Sequence, residues 1–256
     1  MTADQVSFTI VRCVNYEAGT NWNHSINLYP FNTLYFVMAG DGHICVDNEV
    51  TDLLPGYAYL IPANTLFSCW CDSHIHKIYA DVHVEIVPGY DIFSSSSKVR
   101  VVPFPLEEIL RFSDALKVSC FKNTIYIRSE IMRAVSMFVE DDFQIADKNI
   151  LKYKDILQDI EQNLSCELKV SDIAMKYGYN SAVLSRNFKK VFGYGLKTYI
   201  ERLIVSSIKQ KLITSNRTIN ELAVEYGFCD QYYLSNFFKK FEKCSPAEYR
   251  RNNQNR

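Results

Sequence analysis

The sequence predicts an α+β protein of two domains: a small N-terminal β-barrel with following helices, and an all-α C-terminal domain of two helix-turn-helix units joined by a connecting helix. Residues 6–87 consist of short runs rich in β-branched and aromatic residues, separated by turn signals such as Gly40-Asp41-Gly42, which predicts many short strands. Residues 176–190 and 225–240, KYGYNSAVLSRNFKK and EYGFCDQYYLSNFFKK, repeat one pattern with helical spacing. At 256 residues the chain is long enough to bury two cores.

The charge of the chain is divided unevenly between its two halves. Of 28 basic and 29 acidic residues, 18 basic and 11 acidic ones lie in residues 151–256, which leaves 10 basic and 18 acidic ones in residues 1–150. A basic C-terminal part joined to an acidic N-terminal part indicates that the former binds a polyanion. The alternative is that these charged faces are simply solvated.

The apolar runs and the cysteines point to a cytoplasmic protein. The longest apolar runs are far shorter than the ~18–20 residues that a membrane span requires. The first residues lack a basic leader followed by an apolar core, so we expect no export signal. The eight cysteines show no Cys-x-x-Cys spacing, which favours reduced thiols over a zinc site.

The second copy of the repeat has clear helix boundaries. Thr218 followed three residues later by Glu221 predicts a capping box, and Gly227 is placed to end the short helix that follows. A second helix is predicted after Gly-Phe because apolar residues recur at helical spacing. These apolar residues are Tyr233, Leu234, Phe237, Phe238 and Phe241. Helix, glycine turn and helix together predict a helix-turn-helix unit.

The first copy has the same layout with two differences. Asn180 is a favourable N-cap for its second helix, but Lys169 stands where Thr218 does, so no capping box is expected. The two copies align at an offset of 49 up to the glycines and of 50 beyond them. The turn of the second copy therefore carries one additional residue.

One helix over 196–212 is predicted to connect the two copies, because this segment is amphipathic and lacks glycine and proline. Its seventeen residues span roughly 25 Å. With the turns included, this length can hold two recognition helices about one DNA turn, ~34 Å, apart. The alternative is a repeat used only for packing, although two copies are too few for a solenoid.

Residues 151–251 resemble the DNA-binding domain of the AraC/XylS family of bacterial transcription regulators. The resemblance rests on Ala223, Gly227, Phe228, Phe238, Lys239, Lys240, Ser245, Pro246, Tyr249 and Arg250. Three positions depart from the family pattern. Lys243 stands where the family has glycine, which we expect to alter a turn, and Asn236 and Ile204 stand where it has arginine.

The resemblance implies which side chains face DNA. Base contacts are implied for Ala182, Ser185, Arg186, Gln231, Tyr232 and Asn236. Phosphate contacts are implied for Lys189, Lys190, Lys239 and Lys240, for which an exposed, solvated side chain is the alternative. Arginine can donate two hydrogen bonds to guanine, and asparagine or glutamine can pair with adenine. Double-stranded promoter DNA and RNA polymerase are the implied partners.

The N-terminal part resembles the cupin-like barrel that precedes many such DNA-binding domains. This resemblance rests on Gly40, Gly42, Leu54, Pro55, Gly56, Leu60, Ile61 and Pro62. It implies a sensor and dimerisation domain that holds a small-molecule effector. Candidate pocket residues are Tyr35, Tyr57, Tyr59, Trp70 and Tyr79, for each of which a place in the barrel core is the alternative. The segment after Pro62 lacks the histidine of metal-holding cupins, so we expect no metal and no cofactor.

The predicted domains are 1–140, with the barrel about 6–90 and helices about 105–140; a linker, 141–149; and 150–256, with helix-turn-helix motifs about 169–192 and 218–241. An apolar stripe on the second N-terminal helix serves either the core or a homodimer interface; it comprises Ile127, Ile131, Ala134, Val135 and Phe138. The leading hypothesis is a sequence-specific transcriptional regulator, an activator by family behaviour, without enzymatic activity. The alternatives are a cupin-type metal-dependent isomerase or dioxygenase with an accessory helical domain, and a protein-interaction adaptor.

Overall fold

A computed structural model describes residues 6–93, 96–140 and 148–253. These residues form two compact units. The first, called the sheet unit below, comprises residues 7–84 and 91–140, and the second, called the helical unit, contains residues 85–90 and 148–253. The predicted linker falls largely on residues 141–147, which lie outside the described residues.

Strands form most of the sheet unit and two helices follow them. The strands are β1 (Ser7–Gly19), β2 (Asn23–Leu28), β3 (Asn32–Val46), β4 (Glu49–Leu53), β5 (Tyr57–Ile61), β6 (Leu66–Val87), β7 (Tyr90–Asp91) and β8 (Arg100–Pro103). The helices are α1 (Leu106–Lys117) and α2 (Phe121–Phe138). Mixed α and β structure in the N-terminal part is therefore as predicted.

The strands pair in the order β1-β6-β3-β5-β8, with β2 and β7 added to β6 and β4 added to β3. Among the described strands this path is open, and closure into a barrel is not part of the pairing. The reason lies at one end of the path. β8 has only four residues, and the chain leaves the sheet for α1 directly afterwards instead of continuing into a strand that could meet β1.

The predicted turn at Gly40-Asp41-Gly42 lies inside the long strand β3, which pairs with the long strand β6. The register between the two strands shifts on either side of Gly40, so the glycines form a bulge. Gly40 has a φ of +106°, and a Cβ there would lie 2.1 Å from the His74 carbonyl oxygen. The predicted turn at this position was wrong because the bulge depends on the partner strand.

The apolar stripe predicted on α2 packs into the core of the sheet unit. Ile131, Ala134, Val135 and Phe138 are buried, and Ile127 is half-buried. Phe36 on β3 contacts both Phe104 and Phe112, with ring centroids 5.1 and 5.3 Å apart. The helices therefore cover one face of the sheet, and this stripe is core and not an interface.

The helical unit begins with a 3-10 helix, Lys148–Tyr153. It continues with α3 (Lys154–Gln162), α4 (Val170–Lys176), α5 (Ser181–Phe192), α6 (Leu196–Thr214), α7 (Ile219–Glu225), α8 (Gln231–Glu242) and α9 (Pro246–Asn253). The pairs α4–α5 and α7–α8 are the two predicted helix-turn-helix units. Their turns span residues 177–180 and 226–230, which confirms the additional residue in the second turn.

The predicted caps are confirmed. Thr218 Oγ1 accepts from the Glu221 N–H at 3.1 Å, and the Glu221 carboxylate accepts from the Thr218 N–H at 2.6 Å. Asn180 Oδ1 accepts from the N–H groups of Ala182 and Val183 in the first turn of α5, and Lys169 makes no side-chain cap. These hydrogen bonds satisfy backbone donors that have no partner within the helix.

The connecting helix α6 is two residues longer than predicted and spans about 28 Å. It is buried on most of its surface, and Ile204, where the family has arginine, is part of the core. Lys209 is also buried, and its Nζ pairs with Glu242 at 3.1 Å. Burying both charges together avoids leaving an unpaired ion in the core.

Lys243 leaves the turn after α8 unchanged. Its φ of 61° and ψ of 0° are left-handed, as are the φ of 80° and ψ of −16° of Gly193 after α5. Both residues donate their backbone N–H to the carbonyl of the residue four positions earlier, at 3.0 and 2.9 Å. The expected change of turn was wrong because Lys243 adopts the left-handed conformation that favours glycine and makes the same capping hydrogen bond.

We therefore expect Lys243→Gly to raise the free energy of unfolding by about 1 kcal/mol, because the left-handed conformation strains any residue with a Cβ. The measurement is guanidinium unfolding of the full chain, read as a change of midpoint at constant slope. Gly193→Lys is the matched control and should destabilise by a similar amount, since nothing lies within 4 Å of a Cβ at that position. A stabilising Gly193→Lys substitution would contradict this account.

Candidate nucleic-acid interface

The helices α5 and α8 present equivalent surfaces. Each is anchored by a buried leucine and phenylalanine, Leu184 and Phe188 in α5 and Leu234 and Phe238 in α8. The opposite side of each helix is exposed. Two similar helices in one unit therefore offer matching positions to an external partner.

The positions predicted to face base edges lie on these exposed sides, with one exception. Ala182 and Arg186 of α5 are exposed, whereas Ser185 is half-buried. In α8, Gln231, Tyr232 and Asn236 are exposed, and Tyr232 retains 72% of its accessible surface. By the alignment of the copies, Ala182 corresponds to Tyr232 and Arg186 to Asn236, so the two helices offer different chemistry at the same places.

Tyr233 belongs to this surface as well, although the apolar pattern placed it on the buried face. Its side chain is 58% exposed, and its ring is tilted against Phe228 with centroids 5.9 Å apart. The Tyr233 N–H donates to the Asp230 carboxylate at 2.7 Å, which fixes the start of α8. Asp230 as an N-cap three residues earlier is the sequence signal that could have placed Tyr233 in the first turn.

The four lysines predicted to contact phosphate lie at the ends of the same helices. Lys189, Lys190, Lys239 and Lys240 are all exposed. Lys240 Nζ lies 3.9 Å from the Glu201 carboxylate, but a surface pair of this kind contributes little. Cations in the last turn also interact favourably with the helix dipole, so part of their role is structural.

Hydrogen bonds hold each turn in place. Tyr226 OH lies 2.5 Å from Ser207 Oγ of α6, and the Tyr226 carbonyl accepts from the Cys166 N–H at 2.9 Å. In the first unit, Tyr177 OH donates to the Asp155 carbonyl at 3.0 Å. These hydrogen bonds fix α5 and α8, which follow the two turns, to the rest of the helical unit.

Two residues of the family pattern have structural contacts. The Tyr249 ring packs edge-on against Phe238, with centroids 5.5 Å apart. Arg250 Nε donates to the Leu212 carbonyl at 3.2 Å, and its Nη2 donates to the Arg217 carbonyl. Arg250 therefore satisfies carbonyl groups at and after the end of α6.

The sheet unit brings together three of the five candidate effector residues. Tyr35 on β3 is directly opposite Tyr59 on β5 and Tyr79 on β6, so the three side chains share one face. Tyr57 lies two residues from Tyr59 and is more exposed. Trp70 stacks on His43 instead, with ring centroids 5.1 Å apart.

His43 of the sheet unit lies between two carboxylates. His43 Nδ1 lies 2.9 Å from Asp52 and Nε2 lies 3.3 Å from Asp72. Burial lowers the pKa of His43, but the two carboxylates outweigh it and the net direction is upward. Within the described ranges, no group of three or more His, Cys, Asp or Glu side chains is placed to hold a metal ion.

No described helix is long and apolar enough to cross a membrane.

Comparisons with known proteins agree with this geometry. A family model described as a helix-turn-helix domain matches residues 173–252. The transposon Tn10 TetD protein of Escherichia coli is 38% identical over 99 residues, 39% of this chain and 72% of that protein. The multiple antibiotic resistance protein MarA of E. coli K12 is 39% identical over 98 residues, 38% of this chain and 77% of that protein.

The whole fold also has a solved counterpart. ToxT from Vibrio cholerae superposes with a TM-score of 0.54 over 96% of this chain and 98% of its own, at 15% sequence identity. This similarity concerns the fold of both parts. Together with the helix-turn-helix match and the MarA-like relatives, it shows that the chain belongs to the AraC/XylS family of DNA-binding transcriptional regulators.

Proposed function

We propose that this protein binds a promoter by placing α5 and α8 in two successive major grooves on one face of the duplex. The observation that carries this proposal is the matching exposure of the two helices on either side of the single continuous helix α6. α6 spans about 28 Å, which is close to the ~34 Å between successive grooves once the turns are added. A helix buried on most sides cannot bend without losing core contacts, so this spacing is rigid.

The exposed side chains suggest a division of roles. Arg186 donates to guanine, Gln231 and Asn236 pair with adenine, and Ala182 and Tyr232 contact apolar edges such as the thymine methyl group. Ser185 is half-buried, so it contacts a base only where the backbone of α5 lies close to the DNA. Lys189, Lys190, Lys239 and Lys240 contact phosphates, which adds affinity without sequence preference.

The rigid spacing predicts how binding responds to changes in the DNA. In a site selected in vitro with the full chain, inserting five base pairs between the two half-elements should reduce affinity to that of one element, because it turns the second groove away. An insertion of ten base pairs returns the second groove to the same face of the duplex but leaves the two half-elements too far apart, so affinity should stay low. Gel-shift titration measures this, and a same-length scramble of the spacer is the control. If affinity recovers with the ten-base-pair insertion, the two helix-turn-helix units are joined flexibly and the proposal is wrong.

Arg186→Ala should relax base preference at one position of the site and weaken binding by about 1–3 kcal/mol, because a bidentate contact is lost. Selection and sequencing of bound sites measures the profile. An unchanged profile would show that Arg186 does not read a base.

The matched comparison for Arg186 is the double variant Lys239→Ala, Lys240→Ala. It should weaken binding to all sequences alike and lower the slope of log affinity against log salt by about 1.8, or 0.9 for each phosphate contact. Lys117→Ala, Lys122→Ala in the sheet unit removes the same charge away from the helices and should leave the slope as it is. If the variant Lys239→Ala, Lys240→Ala has the same salt slope as the wild type, the phosphate role is refuted.

We further propose that the protein activates transcription together with RNA polymerase in the cytoplasm. One relative is named as the HTH-type transcriptional activator AarP of Providencia stuartii, which is 35% identical over 96 residues and of which 71% is covered. Transcription with purified polymerase from a bound promoter tests the sign of regulation. Lower transcript levels on addition of the protein would make it a repressor.

The sheet unit is proposed to hold a small-molecule effector, inside a sheet that curves over as cupin-like barrels do. Support comes from the shared face of Tyr35, Tyr59 and Tyr79, with Tyr57 and Trp70 as more distant candidates. One ToxT structure of similar fold is described as bound to an unsaturated fatty acid.

A homodimer through α2 is proposed because this helix leaves an apolar stripe exposed on the side opposite its core stripe. Phe121 is 81% exposed, and Ile125 and Met132 follow on the same side. Phe121→Glu with Ile125→Glu should convert a dimer into a monomer in sedimentation velocity, because charge at a buried apolar contact is unfavourable. Lys122→Glu on the same helix is the control and should leave the dimer intact. A wild-type chain that is monomeric at micromolar concentration would contradict the proposal.

A further inference from the structure

His43 lies at the centre of a solvent-facing patch formed by three strands. On β3 it is directly opposite Asp52 of β4 on one side and Trp70 of β6 on the other. Asp72 lies two residues after Trp70 on β6. The His43 side chain is 20% exposed, whereas those of Asp52 and Asp72 are 67% and 71% exposed. A half-buried ring therefore lies between two carboxylates that reach water.

Each nitrogen of the His43 ring faces a carboxylate. Nδ1 lies 2.9 Å from Asp52 Oδ1, and Nε2 lies 3.3 Å from Asp72 Oδ2. An ionised carboxylate can only accept hydrogen bonds, and a neutral imidazole carries a single N–H. The neutral ring would therefore leave one carboxylate facing a nitrogen lone pair. Only the protonated ring donates to β4 and β6 at the same time.

The contact with Trp70 favours the same form of the ring. The His43 and Trp70 rings are stacked, with centroids 5.1 Å apart and an angle of 27° between their planes. The face of an indole ring attracts a cation that lies over it. Protonation of His43 thus strengthens three contacts, one to β4 and two to β6.

Asp41 is a further carboxylate of this patch, and it lies on β3 itself. It accepts from Ser73 Oγ and from the N–H groups of residues 72–74. The Ser73 side chain contributes most, and together these hydrogen bonds lower the pKa of Asp41 to about 2. Asp41 therefore keeps its negative charge throughout the range in which histidines titrate.

The surroundings of His43 also act on its pKa. Burial lowers this pKa, but the hydrogen bonds and charges of Asp52 and Asp72 outweigh burial and raise it. Cys45, two residues further along β3, lies opposite uncharged residues on both neighbouring strands. Because the pKa in the folded chain is above the ordinary value of about 6.5, the stabilisation is fully present below that pH and is lost as the pH rises through the folded pKa.

We infer that His43 is a proton-dependent clamp between β4 and β6, which makes the sheet unit more stable in mildly acidic than in mildly alkaline solution. Among the described strands, β4 pairs with β3, so the ring adds a link from β4 to the next strand along. When the ring loses its proton, the link to one of the two carboxylates is lost. The clamp acts within the sheet unit and does not depend on the proposed effector or DNA contacts.

The first test is the titration of the histidine rings in the full chain, followed by NMR and assigned with His43→Gln. The midpoint for His43 should lie above about 6.5. Asp52→Asn with Asp72→Asn should bring it to about 6.5 or below, because both charges are removed while the ring stays half-buried. His76→Gln is the matched control. His76 Nε2 lies 2.9 Å from an uncharged partner, Asn15 Oδ1, so this substitution should leave the His43 midpoint unchanged.

The second test is the effect of pH on the stability of the sheet unit. Trp22 and Trp70 are the two tryptophans of the chain, and both belong to this unit, so tryptophan fluorescence follows its unfolding within the full chain. Urea is the denaturant because it does not screen charges as a salt does. The wild type should unfold at a higher urea concentration than His43→Gln at about pH 5.5, and this difference should disappear at about pH 8.5.

Asp72→Asn keeps the test decisive if His43→Gln does not fold. An asparagine amide can donate to the neutral ring, so the clamp no longer needs a proton and stability should depend less on pH than in the wild type. An unchanged pH dependence in this variant, or a His43 midpoint at or below about 6.5 in the wild type, would overturn the inference. A wild-type advantage over His43→Gln of the same size at both pH values would do so as well, because it would show that the ring stabilises by packing alone.

Discussion

The burial of α6 is the constraint on which the helical unit depends. Tyr199, Ile204, Ile208 and Leu212 are all buried along one continuous helix. The first helix-turn-helix unit packs against it through α5, and the second is joined to it by the Tyr226–Ser207 hydrogen bond and the Lys209–Glu242 ion pair. A helix that is buried on most sides cannot bend or rotate without opening the cores on either side. The spacing between α5 and α8 is thus set by the core of the helical unit. Ile204 illustrates this, because an apolar residue strengthens the core at a position where the family places arginine.

The two reading surfaces are similar in backbone and different in chemistry. The first presents Arg186 where the second presents Asn236, and Ala182 where the second presents the large ring of Tyr232. One surface is therefore cationic and directional, and the other is neutral and aromatic. In the proposed binding mode, a rigid pair of unlike surfaces would distinguish the two orientations of an asymmetric site, since reversing the protein would place each surface on the wrong base pairs.

Local features could be predicted from the sequence, and features set by distant residues could not. The caps at Thr218 and Asn180 depend on hydrogen bonds within a few residues, so composition and spacing are sufficient. The bulge at Gly40 depends on the His74 carbonyl of another strand, and glycine alone does not distinguish a bulge from a turn. Tyr233 was misplaced because periodicity identifies apolar residues without showing which of them are exposed.

The charged cluster of the sheet unit is a poor solution for stability alone. Lys77 and Asp81 are buried, and Arg12, which pairs with Asp81 at 2.5 Å, is half-buried. Well-packed apolar residues of similar volume are often as stable as buried ions or more so. Aromatic neighbours recover only part of this cost, about 0.5–2 kcal/mol for each cation over a ring. A sheet that needed only a core would be more stable with apolar side chains at these positions.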